Sequence, residues 1–306
     1  MEAKQKVNPH KTKPISASDK AFDIVNYILL ALVLFVTAYP LYYVLIASVS
    51  DPFKVYAGQT MIHPVGFSWG GYERIFQDPM ITRGYLNSIV YTFVGSVVSV
   101  VLTCVSGYAL SKKTLPGRRW IMLFLLFTMY FNGGLIPTYL TVRDVGLFNT
   151  MWALIIPNAI SVYNLIIART FFESNIPESL TEAASIDGSS NIGTMIRIVM
   201  PLSTPIIAVM VVFYAVGLWN NWFDALIYTT KSEMAPLQLV LRSILIKSQA
   251  SSDMMMGMDA NYAEKQKVTE MIKFASIVVA SVPMLIIYPF VQKYFSKGIM
   301  IGAVKG

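Results

Sequence analysis

Charge is what this sequence has least of. Asp, Glu, Lys and Arg make up 13% of its 306 residues, while hydrophobic residues make up 55%; soluble domains carry about 25% charged residues. With a mean hydropathy of +0.56, the composition excludes an ordinary soluble domain and points to a polytopic membrane protein. There is one cysteine, so no disulfide framework is available. Cys104 lies in an apolar run and reads as a small buried hydrophobe. There are two histidines, too few for a His/Cys metal cluster: His10 reads as solvated and His63 as structural. The run Gly188-Ser189-Ser190-Asn191-Ile192-Gly193-Thr194 has the glycine spacing of a phosphate loop but lacks its lysine, and a helix precedes it in place of a strand. No nucleophile elbow is present. The net charge of +7 reads as membrane topology, with no nucleic-acid binding implied.

What is there is a series of six long apolar segments, at about 24–48, 86–110, 120–140, 151–170, 204–227 and 272–292. Each is near the ~20 residues needed to span a bilayer. The first is too long for a cleavable signal peptide. Their central portions are free of charge; Asp224 lies near one end. The expected fold is therefore all-α, a polytopic bundle of six transmembrane helices in the plasma membrane. Residues 1–20 read as a basic cytoplasmic tail, 21–294 as the membrane domain and 295–306 as a cytoplasmic C-terminal tail. Lys112, Lys113, Arg118 and Arg119 crowd the connection between spans two and three, whereas Arg143 stands alone between spans three and four. The positive-inside rule then places both termini in the cytoplasm. Glycine, serine and threonine recur within span two, at Gly95, Ser96, Ser99, Thr103, Ser106 and Gly107, where small side chains let helices approach.

Two long segments are expected outside. Residues 49–85 carry turn signals around aromatic anchors and read as a packed cap. Residues 228–271 hold an amphipathic stretch from Leu237 to Ile246 and a methionine-rich run, 254–258, suited to adaptable contact. Near the outer end of span five, Trp219, Asn220, Asn221, Trp222 and Asp224 set amides among aromatics. Sugars bind to such combinations, because C–H faces are apolar and hydroxyls need partners; the alternative is an interfacial aromatic belt. Tyr130 and Asn132 in span three are a second candidate pair for a substrate path.

The polar island between spans four and five, residues 174–201, has the clearest local design. Ser174 or Asn175 is placed to cap a short helix with an early Pro177. Ile176, Leu180, Ala183 and Ala184 fall on one face, and Glu178, Glu182 and Ser185 on another. Gly188 supplies a positive φ at the helix end, Ser189 or Ser190 caps the next helix, and Pro201 ends it. Glu182-Ala183-Ala184, Asp187-Gly188, Ile198 and Pro201 resemble the EAA loop of binding-protein-dependent ABC importer permeases. The ending from Lys297 to Gly306 is similar to the tail of maltose-type carbohydrate permeases, and Asn132-Gly133-Gly134-Leu135-Ile136-Pro137-Thr138-Tyr139 resembles the subgroup that handles complex oligosaccharides. Ile192, Met195 and Ile196 stand where family members often carry aromatics.

The resemblance implies a type I importer permease for carbohydrates, not itself an enzyme and binding no cofactor. ATP and Mg would reside in a separate ATPase, present in two copies, that receives Glu182, Ala183, Ala184, Asp187, Gly188 and Pro201 in a surface groove. A second, homologous permease and an extracytoplasmic sugar-binding protein would complete the system. Two other readings compete with it. A stand-alone secondary transporter places ionisable or broken-helix sites near the bilayer midplane, and the uncharged span centres count against it. A membrane scaffold would leave the polar island without a purpose.

Overall fold

The computed structural model describes residues 17–254, 271–289 and 292, and every regular element among them is helical. The chain forms two compact units that divide at Ser68. In the first, α1 (Ala17–Ser48) is a single apolar helix that begins before the first expected span and takes Lys20 into its first turns. The Tyr39 and Tyr42 hydroxyls donate to the carbonyls of Met61 and Ile62, so the segment after α2 (Pro52–Tyr56) is tied back to α1. Asp51 opens α2 by accepting from the Phe53 N–H at 2.9 Å, with Pro52 in the first helical position, where a missing N–H does no harm.

The second unit contains α3 (Gly70–Gln77), α4 (Pro79–Ser111), α5 (Arg118–Tyr130), α6 (Leu135–Asp144) and α7 (Trp152–Asn158). It continues with α8 (Val162–Asn175), α9 (Glu178–Ile186), α10 (Asn191–Leu202), α11 (Thr204–Trp219), α12 (Phe223–Tyr228), α13 (Leu237–Met254) and α14 (Met271–Pro289). The organising helix is α4. Asp78 caps it by accepting from the Met80 N–H at 2.8 Å, so it starts seven residues earlier than the apolar run suggests. Its buried side carries Ser88, Gly95, Ser96, Ser99, Thr103 and Gly107, and these small residues set its distance to α8 and α11. A Cβ on Gly107 would lie 3.1 Å from the Ala168 Cβ and 3.2 Å from the Arg169 backbone nitrogen. A Cβ on Gly95 would lie 2.7 Å from a Leu218 methyl. Between membrane helices, such close approach supplies the dispersion energy that burial from water cannot. Cys104, Tyr108, Phe172, Val199 and Met210 fill the core formed there. The Thr103 and Tyr214 hydroxyls meet at 2.6 Å, and the Ser161 N–H donates to Tyr214 at 3.1 Å, joining all three helices through one polar node.

Among the described residues, α1, α4 and α14 are each long and apolar enough to cross a membrane alone. Three bent pairs pass the same test together: α5 with α6 at 116°, α7 with α8 at 55° and α10 with α11 at 83°. Six crossings result when each pair counts as one span. The expectation of an unbroken span at 120–140 is thus corrected. The 13-residue α5 reaches about 20 Å, short of the ~30 Å hydrocarbon core. Asn132 then accepts from the Gly134 N–H at 3.0 Å, and Gly134 takes φ +83°, so the chain turns where Asn-Gly-Gly cannot sustain a helix. Span four likewise bends at Ala159–Ser161, and the helix of span five ends at Trp219, with α12 as a separate turn.

The amphipathic stretch from Leu237 is helical and continues to Met254 as α13, with Leu237, Val240 and Leu241 buried. The approach to it is pinned to α4. Asn87 donates to the carbonyls of Glu233 and Ala235 at 2.8 and 3.1 Å, Tyr91 to that of Met234 at 3.1 Å, and the Leu237 N–H to the Ser88 hydroxyl at 2.9 Å. Residues 255–258 of the methionine run, most of the tail 1–20 and the tail 295–306 lie outside the described residues.

Candidate functional site

The polar island folds as an elbow of two short helices. Its first helix, α9, starts at Glu178 with Pro177 at the N-cap and no side-chain cap, which corrects the capping expected of Ser174 or Asn175. Both belong to the last turn of α8, where the Asn175 amide donates to the Phe171 carbonyl at 3.0 Å. At the other end the closure is complete. The Gly188 N–H reaches the Ser185 carbonyl at 3.1 Å and the Ser189 N–H the Ala184 carbonyl at 2.9 Å, with Gly188 at φ +77°. This double bond pattern around a left-handed glycine satisfies the last carbonyls of the helix. Ser190 then caps α10 by accepting from the Gly193 N–H at 3.1 Å.

Burial divides the alanines of α9. Ala184 is buried and Leu180 half-buried, whereas Ala183 is exposed beside Glu182. Ile176 is buried but precedes the helix. Ile186 is 86% exposed, and Ile192 and Ile196 on α10 are 71% and 60% exposed. The elbow thus exposes three large apolar side chains as well as Glu182, Ala183 and Asp187. Glu182 also lines a groove of about 530 Å³ shared with Tyr108, Lys112, Lys113 and Glu178.

Pro201 does not terminate α10; it reshapes it. Proline has no N–H to give the Arg197 carbonyl and its ring crowds that group. The helix responds with a π turn over Met195–Val199, in which the Met200 N–H bonds to Met195. One residue past Leu202 the axis turns by 83° into α11, and the Ser203 hydroxyl donates to the Val199 carbonyl at 2.7 Å across the bend. On the other side of the elbow, Glu173 at the end of α8 receives both Arg169, at 2.9 Å, and Arg118.

At the far end of α11 lies a cleft of about 690 Å³ between α11, α13 and α14. Of the sequence candidates, Trp219, Asn220 and Trp222 line it. Trp219 is 3% exposed and its Nε1–H donates to the Ala280 carbonyl at 3.0 Å, so it is a wall of the core with no free ring face. Asn220 donates to the Val216 carbonyl at 2.8 Å. Asn221 and Asp224 are engaged with each other, and Asp224 also accepts from Asn158 at 2.7 Å; neither lines the cleft. Tyr130 and Asn132 sit at the α5–α6 break and are not part of it. Sequence reasoning missed Arg242 and Gln238, which lie four residues apart on α13 and line the cleft together. The Arg242 guanidinium lies 3.4 Å above the Trp222 ring. The available signal was a lone cation in the apolar stretch from Leu237 to Ile246, with Gln238 one turn before it.

Residues 90–301 match the family described as binding-protein-dependent transport system inner membrane component. This chain belongs to that family. The permease is 40% identical over 288 residues to the polygalacturonan/rhamnogalacturonan transport system permease protein YtcP of Bacillus subtilis (strain 168), covering 94% of this chain and 99% of that one. It is also 40% identical over 297 residues to protein LplC of the same organism, covering 97% of this chain and 98% of that one. A crystal structure of a bacterial ABC transporter involved in the import of the acidic polysaccharide alginate has a chain that superposes with a TM-score of 0.82 at 33% identity, covering 93% of the permease and 100% of that chain. The permease is therefore a multi-pass membrane component of an ABC importer with the type I permease fold, which sets aside the stand-alone transporter and the scaffold.

Proposed function

We propose that the permease carries carbohydrates, oligosaccharides in particular, inward across the plasma membrane as one of two homologous membrane subunits. Two copies of a separate cytoplasmic ATPase, which hold ATP and Mg, dock on the elbow, and an extracytoplasmic sugar-binding protein delivers the substrate. Both termini lie in the cytoplasm. The observation that carries this reading is the elbow itself: a short helix closed by left-handed Gly188, displaying Glu182, Ala183 and Ile186, and joined within a few residues to α8 and α11. The names of the relatives support a sugar substrate. Glu182, Ala183, Ala184, Asp187, Gly188 and Pro201 form and shape the docking surface. At the opposite end of α11, Trp219, Asn220 and Trp222 wall the substrate path, while Asn221 and Asp224 hold the turn that positions Trp222.

Reconstituting the permease with its partners in liposomes tests this. Oligosaccharide uptake should require ATP and the binding protein together. Uptake that persists without ATP, or ATP-driven uptake of every solute class except carbohydrates, refutes it.

A further inference from the structure

The cleft at the end of α11 is poorly furnished for a neutral sugar. Trp219 is buried, and one face of Trp222 is covered by Arg242. What it has instead is a cation with no acid facing it among the described residues. Arg242 is the one charged residue among those lining the cleft, and no carboxylate among the described residues lies within ion-pair distance of it. Asp224, the nearest acid in sequence to Trp222, is held by Asn158 and Asn221 and does not line the cleft.

Stacking on Trp222 occupies the face of the guanidinium and leaves its N–H edge to a ligand. That edge is a planar fork that matches a carboxylate with two parallel hydrogen bonds. Gln238, one turn earlier on the same face, adds an amide within the same cleft. Leu241, Met284 and Leu285 give the walls apolar surface for the C–H faces of a sugar ring. At about 690 Å³ the space falls within the range of about 300–1,000 Å³ typical of small-ligand sites.

We propose that Arg242 makes the permease selective for carboxylate-bearing oligosaccharides, of the uronate type, over neutral ones. The proposal rests on the carbohydrate-import reading above and sharpens it. It is tested in liposomes carrying the whole transporter, with three probes: trigalacturonate, its methyl ester and a neutral trisaccharide. The binding protein is the same in every sample, so the ratio of variant to wild-type uptake for each probe isolates the permease. Arg242→Gln should lower trigalacturonate uptake roughly tenfold, equivalent to about 1.4 kcal/mol, and leave whichever neutral probes the wild type carries unchanged. Arg242→Lys, a point charge without the fork, should fall between. If Arg242→Gln depresses charged and neutral probes equally, the Arg242–Trp222 stack is structural and the proposal fails. It fails also if wild type and variant carry the acid alike. Wild-type transport of none of the three, in a system that still couples ATP hydrolysis to other solutes, overturns the carbohydrate reading and this proposal with it.

Discussion

Gly188 isolates one physical quantity, the conformational preference of a single backbone position. It holds φ +77°, and a Cβ added there would meet nothing within 4 Å. A Cβ there therefore meets no neighbour, and the cost it adds is the strain of an L-residue in the left-handed region, about 1–2 kcal/mol. Asparagine tolerates that region and alanine does not, while a β-branched residue is worst of all. The series Gly188→Asn, Gly188→Ala, Gly188→Val should thus grade the loss of the elbow with no change in packing. If the ATPase binds only the closed elbow, 1–2 kcal/mol reduces its retention by about 5–30-fold. The assay compares the amount of permease in the membrane, the ATPase that copurifies and the sugar transported per ATP hydrolysed. The first should hold constant, and the other two should fall in the order Asn, Ala, Val. Equal behaviour of Gly188→Asn and Gly188→Ala would refute the reasoning, because the two differ at this open position mainly in their tolerance of positive φ.

Other expectations follow from neighbouring geometry. Glu182→Lys reverses an exposed charge on the elbow and should lower sugar transported per ATP with the membrane level unchanged; a drop in level alone would make α9 a folding element. Pro201→Ala returns the missing N–H, lets the Met195–Val199 turn relax towards a regular helix and should reduce coupling without reducing insertion, both read in the same uptake assay. Gly107→Leu must push α8 away from 3.1–3.2 Å contacts and should destabilise the purified complex by about 1–3 kcal/mol, seen as a lower Tm. Gly217→Ala, with nothing within 4 Å, should leave the Tm unchanged or raise it. In a Cys104→Ala background, a cysteine at position 115 or 189 should resist a membrane-impermeant maleimide applied to intact cells; labelling there would overturn the proposed topology.

Apolar runs and charge bias made the crossings legible, and Gly188 with Ser190 made the elbow legible, because each rests on local chemistry that the sequence states outright. The breaks were less visible. Asn132-Gly133-Gly134 lies inside a run that satisfies the length of a span, so hydropathy alone joins α5 to α6, and only the helix-breaking chemistry of the three residues separates them. The faces of α9 were legible from helical spacing, but how burial divides Ala183 from Ala184 was not, because two adjacent alanines carry almost no signal of burial. Trp219 offered the same lesson in reverse. Its ring looked available to a sugar, but the Ala280 carbonyl that takes its N–H comes from a helix 61 residues away, which no local pattern reveals. Arg242 was legible as a lone charge and escaped notice because its meaning depends on Trp222 lying beneath it.

The elbow and the cleft are opposite ends of one element. α11 has 16 residues, a rod of about 24 Å, with the bend at Ser203 at one end and Trp219 and Asn220 at the other. The two attachments of the elbow are built differently. Towards α8 it is held by Glu173, which two arginines share, and by a two-residue link through buried Ile176. Towards α11 it passes through a widened turn and a break crossed by two side-chain bonds, from Ser203 to the Val199 carbonyl and from Thr204 to the Pro201 carbonyl. Under the proposed coupling, a load on the elbow reaches α11 through the bend at Ser203 and the cleft through the far end of α11, while close contacts at Gly95 and the Thr103–Tyr214 hydrogen bond tie α11 to α4. At that far end Trp219 and Asn220 form one wall of the cleft, and α13, whose approach α4 holds through Ser88, Asn87 and Tyr91, forms another. Trp222, just past α11, and Arg242, on α13, belong to those two walls, so their stack links the element that runs from the elbow to the helix that faces it across the cleft.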